Sequence, residues 1–214
     1  MAKVTAPLLS LKASGTIGKT QTFASWRGVN YVRERVIPAN PRTSGQVATR
    51  NVFSYLSAVW KQLNPVCQAP WTLYAKGQPF TDRNAYAMFN NGPMIAATAN
   101  HPFIGSPGAN AGLALISATP TSPSGGVLHI AFVAPTPPNG WTLGSVEVFA
   151  IVEADPTVLQ SEWVSFYATN TVSPVALTGL TSAATYAWSA WATWTKADNT
   201  TAYGASLNGT QLIT

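Results

Sequence analysis

Residues 185–195, TYAWSAWATWT, carry four aromatic rings at spacings that suit an extended strand. With successive side chains on opposite faces, Tyr186, Trp188 and Trp194 share one side and Trp191 stands on the other. The three-ring side is the expected inner face of a sheet. An outward Trp191 needs cover, either from a neighbouring strand or subunit or from stacking on a sugar ring or a partner's aromatic.

Similar short segments fill the second half of the chain: Leu113 to Thr119, Val127 to Val133, Val146 to Glu153, Glu162 to Tyr167, Val175 to Leu177, Thr185 to Thr195 and Ala202 to Leu207. Clusters of Pro, Gly, Asn and Ser separate them, and no helical period runs through them. This pattern predicts an all-β antiparallel sandwich over residues 108–214.

The first half reads differently. Thr16 to Ala24 and Val29 to Val36 flank Trp26-Arg27-Gly28 and predict a β-hairpin, with Gly28 supplying the positive φ of a bulged turn. Alternation sends Tyr31, Arg33 and Arg35 to one face and Val32, Glu34 and Val36 to the other. Pro38 and Pro41 hold the backbone before them extended, and Thr43 with Gln46 fits a capping box opening a helix over Ser44 to Leu63. On that helix Val52, Phe53, Leu56, Val59, Trp60 and Leu63 form a core stripe, with Thr49, Arg50, Ser54, Ser57 and Lys61 opposite. Asn64-Pro65 opens a second, short helix distorted by Pro70, and Thr81-Asp82 opens a third over Arg83 to Asn90. Asn90 to Gly112 reads as a linker with one extended piece near Met94 to Thr98. The expected organisation is therefore an α+β domain over residues 1–107, hairpin plus two or three helices, with a boundary near Pro107.

Charge follows the same division. Residues 1–107 hold eleven of the twelve Lys and Arg against Glu34 and Asp82, whereas residues 108–214 hold Lys196 against five acids. Only 9% of the chain is charged, well under the quarter or so usual for soluble domains. Solubility then rests on Ser, Thr, Asn and Gln, or partners cover much of the surface. The single Cys67 excludes an internal disulfide and, with only His101 and His129, leaves no structural zinc set. His129 sits in an alternating strand, His101 precedes a proline in the expected linker, and the acids are scattered. These residues offer no base, nucleophile and orienter that could meet, and no phosphate loop, so a non-enzymatic protein without cofactor or metal is expected. Pro7 to Leu9 is too short an apolar patch for a signal peptide, and no stretch approaches a membrane span, so synthesis in a cytoplasm and no membrane partner are expected.

Two resemblances add to this. Leu177 to Trp194, LTGLTSAATYAWSAWATW, with a tyrosine six residues after Leu180, resembles the end of a fibronectin type III domain, an immunoglobulin-like fold. That likeness implies that the Tyr186 hydroxyl ties the corner back to the preceding turn. In the first half, K-T-x-x-F-x-x-W-R-G-x-x-Y-V-R is followed by P-A-N-P-R-T-x-x-Q and F-x-x-x-x-x-x-W-x-x-L-N. Lys19, Phe23, Trp26, Arg27, Gly28, Tyr31, Val32, Arg33, Pro38 to Thr43, Gln46, Phe53, Trp60, Leu63 and Trp71 fill this pattern. It resembles the N-terminal region of small structural proteins of tailed bacteriophages and prophages, over residues 10 to 90.

The resemblance implies a virion location and a structural role as capsid decoration, neck or tail component, in a homo-oligomer docked on other virion proteins. Trp26, Arg27, Tyr31, Arg33, Arg35 and Arg42 are the expected docking residues, because arginines pair with carboxylates and aromatics fill apolar pockets. A second reading is a module with weak affinity for host-surface glycans through Trp191. DNA binding ranks third: the arginines with Trp26 and Tyr31 resemble a charged groove with stacking platforms, yet they come one per turn or strand step rather than clustered.

Overall fold

A computed structural model of the chain describes residues 2–3, 14–37, 39–40, 42–97, 103–108, 113–153 and 165–214. The expectations placed on Pro7 to Leu9, Pro38, Pro41, His101 and the start of the strand at Glu162 lie outside those residues. The fold mixes α and β, with three helices and three antiparallel sheets, and separates into two compact units, Met1–Arg42 and Thr43–Thr214.

The first unit is a four-stranded sheet in the order β1-β4-β3-β2, with β1 at Ala2–Lys3, β2 at Gly15–Ile17, β3 at Gln21–Trp26 and β4 at Val29–Glu34. The stretch expected as one strand, Thr16 to Ala24, is itself a hairpin. Gly18 and Lys19 both take positive φ, 58° and 60°, and the Thr20 N–H donates to the Ile17 carbonyl at 3.1 Å. At the next turn Trp26 pairs directly with Val29, leaving a two-residue loop in which Arg27 (φ 49°) and Gly28 (φ 77°) are both left-handed. A two-residue hairpin turn with both central φ positive matches the twist of the flanking strands, so no bulge is needed here.

The second unit holds two sheets around one core. One has the order β5-β6-β9, with β5 at Ser117–Thr121, β6 at Leu128–Val133 and β9 at Val175–Leu177. The other runs β11-β10-β7-β8, with β7 at Trp141–Val152, β8 at Ser165–Asn170, β10 at Thr185–Lys196 and β11 at Thr201–Tyr203; β12, Leu207–Leu212, also pairs with β10. Leu128 and Ile130 of β6, Val175 and Leu177 of β9, Val146, Val148 and Ala150 of β7, and Tyr186, Trp188 and Trp194 of β10 form a single buried cluster. The alternation of Tyr186, Trp188 and Trp194 is thus an inner face, as their spacing predicts. The Tyr186 hydroxyl accepts from the Thr181 N–H at 3.0 Å, tying the corner before β10 to the strand.

The opposite face of β7 and β10 is covered too. Phe149, Ile151, Ala187 and Trp191 belong to a second cluster with Val52, Tyr55, Leu56 and Val59 of α1, Cys67 and Trp71 of α2, and Ala85, Tyr86 and Met94 of α3. These helices span Ser44–Gln62, Pro65–Ala75 and Asp82–Ala96. Thr43 occupies the N-cap of α1 in extended geometry, but its side chain makes no capping bond, so the capping box does not form. Asn64 and Thr81 do cap, accepting from the Val66 and Asn84 N–H groups. The α1 stripe is rotated from expectation: Tyr55 is buried, whereas Phe53 is 49% exposed. The long face therefore centres on Val52, Leu56, Val59 and Leu63, and Phe53 flanks it in an open groove with Ala87 and Met88.

The expected linker and the boundary at Pro107 do not hold. α3 continues through Pro93 to Ala96, burying Met94 where an extended piece was expected. The side chain of Asn90 donates to the Tyr86 and Ile104 carbonyls at 3.0 and 3.1 Å and accepts from the Ile104 N–H at 2.7 Å. Phe103 is fully buried, the Gly105 N–H donates to the Ser189 hydroxyl at 2.9 Å, and the Ser106 hydroxyl donates to the Gly204 carbonyl at 2.8 Å. Residues 103–108 are consequently a strap that joins α3 to the outer face of the sheet. Turn formers occur there because the backbone passes close to side chains: a Cβ on Gly105 would stand 2.4 Å from the Trp191 ring.

Two outcomes follow from this packing. A fragment of residues 43–214 unfolds in a single cooperative urea transition, while a fragment of residues 108–214 exposes Phe149 and Trp191 and binds a hydrophobic dye or precipitates. Gly105→Ala lowers the urea midpoint of the full chain, a loss of about 1–3 kcal/mol of stability that is the usual cost of overpacking a close-fitted interior.

Candidate functional site

The register of β3 and β4 determines which side chains meet. Ala24 pairs with Tyr31, Thr22 with Arg33 and Trp26 with Val29, so these six share one face, and Arg35 follows Arg33 on the same side. Phe23 and Val32 pair on the other face, with Phe23 buried and Val32 half-buried. The expected grouping of Tyr31, Arg33 and Arg35 thus becomes a strip running along β4, with Trp26 at its hairpin end.

Trp26 is 66% exposed and the Arg27 guanidinium lies 4.6 Å from its ring centroid. The pair is a cation–π contact at the loop tip, where the ring keeps one face open. Tyr31 is half-buried; Arg27, Arg33, Arg35 and Arg42 are exposed. Among the described residues, no carboxylate forms an ion pair with Arg27, Arg33, Arg35 or Arg42. Arg42 closes the first unit and is not part of the β4 strip.

Sequence reasoning placed Lys19 in the N-terminal pattern but not among the docking residues. It lies in the β2–β3 turn, and the Arg35 N–H donates to the neighbouring Thr20 carbonyl at 2.7 Å, drawing the end of β4 against this turn. Lys19, Thr20, Gln21, Val32, Arg33, Glu34 and Arg35 line an open hollow of about 470 Å³ there. The signal in the sequence was the Gly18 before Lys19, which marks a turn inside an apparent strand.

Trp191 carries two expectations, cover by a neighbouring strand or subunit and contact with a glycan or partner, and the second does not hold. It is fully buried under the helices and the strap, so no sugar reaches it. The cover comes from the same compact unit. Its cross-strand partner on the same face is Glu147, also buried, whose carboxylate accepts from the Tyr167 and Ser145 hydroxyls. Two donors satisfy a carboxylate that would otherwise be costly to bury. His129 is half-buried on β6. Among the described residues, no group of three or more His, Cys, Asp or Glu is placed to hold a metal ion, and no helix is long and apolar enough to cross a membrane.

Residues 12–102 match a family described as Family of unknown function (DUF6266). The similar region takes in β2, β3, β4 and all three helices, and it stops before the strap and the two sheets on which those helices pack. No curated protein matches the chain.

Cys67 lies in the same layer as Glu147. Burial, followed by the Glu147 charge, pushes its thiol up from an ordinary 9.0 to about 12. A thiol whose folded value is raised contributes stability that is complete below its unfolded value and is lost as pH climbs toward the folded one. Urea stability of the unit should therefore fall between pH 9.0 and about 12. Burial also raises Tyr55 and Tyr86, in the same direction. Replacing Cys67 by Ala should remove up to about 1.4 kcal/mol per pH unit of that slope, a difference read from paired urea titrations; identical slopes would contradict it.

Proposed function

We propose that the chain is a non-enzymatic structural protein of a bacteriophage virion, a capsid decoration, neck or tail component, whose first unit docks it on another virion protein. The observation that carries this reading is the state of that unit. Among its described residues Phe23 alone is a buried large apolar side chain, while Ile17, Trp26, Val29, Val36 and Ile37 are exposed. A small sheet without a hydrophobic face buried against something is marginal in water, so an apolar and basic partner-facing surface has a physical reason to be covered.

Charge supports the same assignment. Residues 1–42 hold seven of the twelve Lys and Arg against the single acid Glu34, a net +6, and residues 43–214 hold five against six acids, a net −1. The cations are concentrated on the unit proposed to dock. Arg27, Arg33, Arg35 and Arg42 pair with acidic groups of the partner, Trp26 and Tyr31 occupy apolar depressions, and repetition in a homo-oligomeric particle multiplies a modest affinity.

The second unit is proposed to be a fibronectin type III-like sandwich displayed outward. The sheet orders β5-β6-β9 and β8-β7-β10 with β11 and β12, together with the hydroxyl of Tyr186 on the Thr181 N–H, favour that topology. Here one sheet of the sandwich carries an added helical layer. The glycan reading loses its named contact with Trp191 buried.

Reversing Arg33 and Arg35 together to Glu is expected to reduce occupancy of the chain on purified particles at least tenfold, by quantitative gel or mass spectrometry. Full occupancy of the doubly reversed chain would refute the docking assignment, and retention on mixed-sequence DNA with a steep salt dependence would favour the nucleic-acid reading instead.

A further inference from the structure

We infer that the hollow between the β2–β3 turn and the end of β4 is a carboxylate-binding site that takes an extended acidic peptide segment of a partner protein. The inference rests on the docking reading above and narrows it to one site, one chemistry and a new residue, Lys19.

Three cations border the hollow: Lys19 from the turn, and Arg33 and Arg35 from β4 and its continuation. All three are exposed, and no described carboxylate pairs with them. Their positions are held by backbone rather than by side-chain chance. Lys19 sits in a left-handed conformation after Gly18, and the Arg35 N–H is bonded to Thr20, so the turn and the strand end keep a common geometry. Arg33 and Arg35 are two residues apart on one face, which places their Cα atoms about 7 Å apart along the strand. An extended peptide with acidic residues at alternate positions repeats at the same distance. Guanidinium and carboxylate are matched planar forks that form paired hydrogen bonds, and Lys19 adds a point charge opposite.

The lining also argues against a polyanion backbone. Glu34 stands between Arg33 and Arg35 and borders the same hollow. Glu34 puts a negative charge on the rim of the hollow, which a phosphate chain charged at every step meets unfavourably and a peptide with neutral residues between its acids does not. Beyond Arg33 the face continues through Tyr31 to Trp26, so an apolar side chain further along the same peptide would meet the aromatic end of the strip. The occupant is thus an acidic, alternating, partly apolar strand.

The test uses the full chain and titration calorimetry at low and moderate salt. The probes are a synthetic peptide with Glu at alternate positions followed by Leu, its Glu→Gln counterpart, inorganic phosphate, and mixed-sequence single-stranded DNA. Binding of the Glu peptide is expected, with the Gln peptide and phosphate each at least tenfold weaker. Lys19→Gln, Arg33→Gln and Arg35→Gln should each weaken the Glu peptide about five- to tenfold, and Arg33→Lys should lose less than Arg33→Gln. Glu34→Gln should not weaken it.

Equal binding of the Glu and Gln peptides, no binding at millimolar concentration, phosphate binding as tight as the peptide, or tighter binding of DNA would each overturn the inference. The two levels separate cleanly. Peptide binding with full particle occupancy of the Arg33 and Arg35 reversal would sink the virion-docking reading and leave the site. Particle loss without peptide binding would do the opposite.

Discussion

The structure of the larger unit depends on one sheet being dry on both faces. Residues 146–151 of β7 and 186–192 of β10 are all buried, because one face packs on β6 and β9 and the other on the three helices. Such a strand has no solvent side, and its sequence accordingly loses the alternation of polar and apolar residues seen in half-exposed strands. Two of the polar side chains it carries are paired, since Ser189 receives the Gly105 N–H and Glu147 receives two hydroxyls, whereas the indole N–H groups of Trp188 and Trp191 and the Thr193 hydroxyl are buried without a partner among the described residues. Without the helical layer, Phe149, Ile151 and Trp191 would form an apolar surface. The helices, in turn, bury Val52, Leu56, Val59 and Trp71 in the same cluster as Phe149, Ile151 and Trp191. Helices and sheets are therefore one folding unit even though they lie in separate halves of the sequence.

This explains which features could be read from the sequence. Period two located the strands of the second half and the inner ring of Tyr186, Trp188 and Trp194, because backbone pleating is a local property. The long helix was legible for the same reason, through the spacing of Val52, Leu56, Val59 and Leu63. What covers an outward Trp191 is a long-range fact. The covering residues are up to 139 positions away in sequence, at Val52, and nothing in an eleven-residue window encodes them. The strap failed as a prediction for a related reason. Gly105 and Ser106 are turn formers by composition, but here small size permits contact with Trp191, and hydroxyl bonds replace strand pairing. In β7, Glu147 was the visible clue that this face was not plain solvent, since a charged residue inside SVEVFAIV implies either exposure or a buried partner.

At the candidate site the sequence located the face but not its edge. Alternation in β4 correctly grouped Tyr31, Arg33 and Arg35, and pairing with β3 added Trp26. Lys19 was hidden because the stretch Thr16 to Ala24 has strand composition throughout, and only the paired positive φ values at Gly18 and Lys19 break it. A lysine in such a position is conformationally costly compared with Asn or Gly. Its presence beside two arginines is better accounted for by its charge than by the turn.

The contrast between the two units follows from how each is stabilised. The Thr43–Thr214 unit has extensive apolar burial and little need for charge; its net charge of −1 leaves solubility to Ser, Thr and Asn. The first unit has the reverse balance, net +6 with one large buried apolar side chain among its described residues. Packing that many like charges into 42 residues adds self-repulsion to a sheet already short of a core. Both deficits would be relieved by the contact proposed above, with an acidic surface that also covers Trp26 and Val29. A unit of this kind gains folding stability from its partner by mass action, so its order and its occupancy are linked. For the proposed role this means that docking would add stability to the first unit, whose turn and strand end are already joined by the Arg35 N–H to Thr20 bond, while the core of the second unit is complete without it.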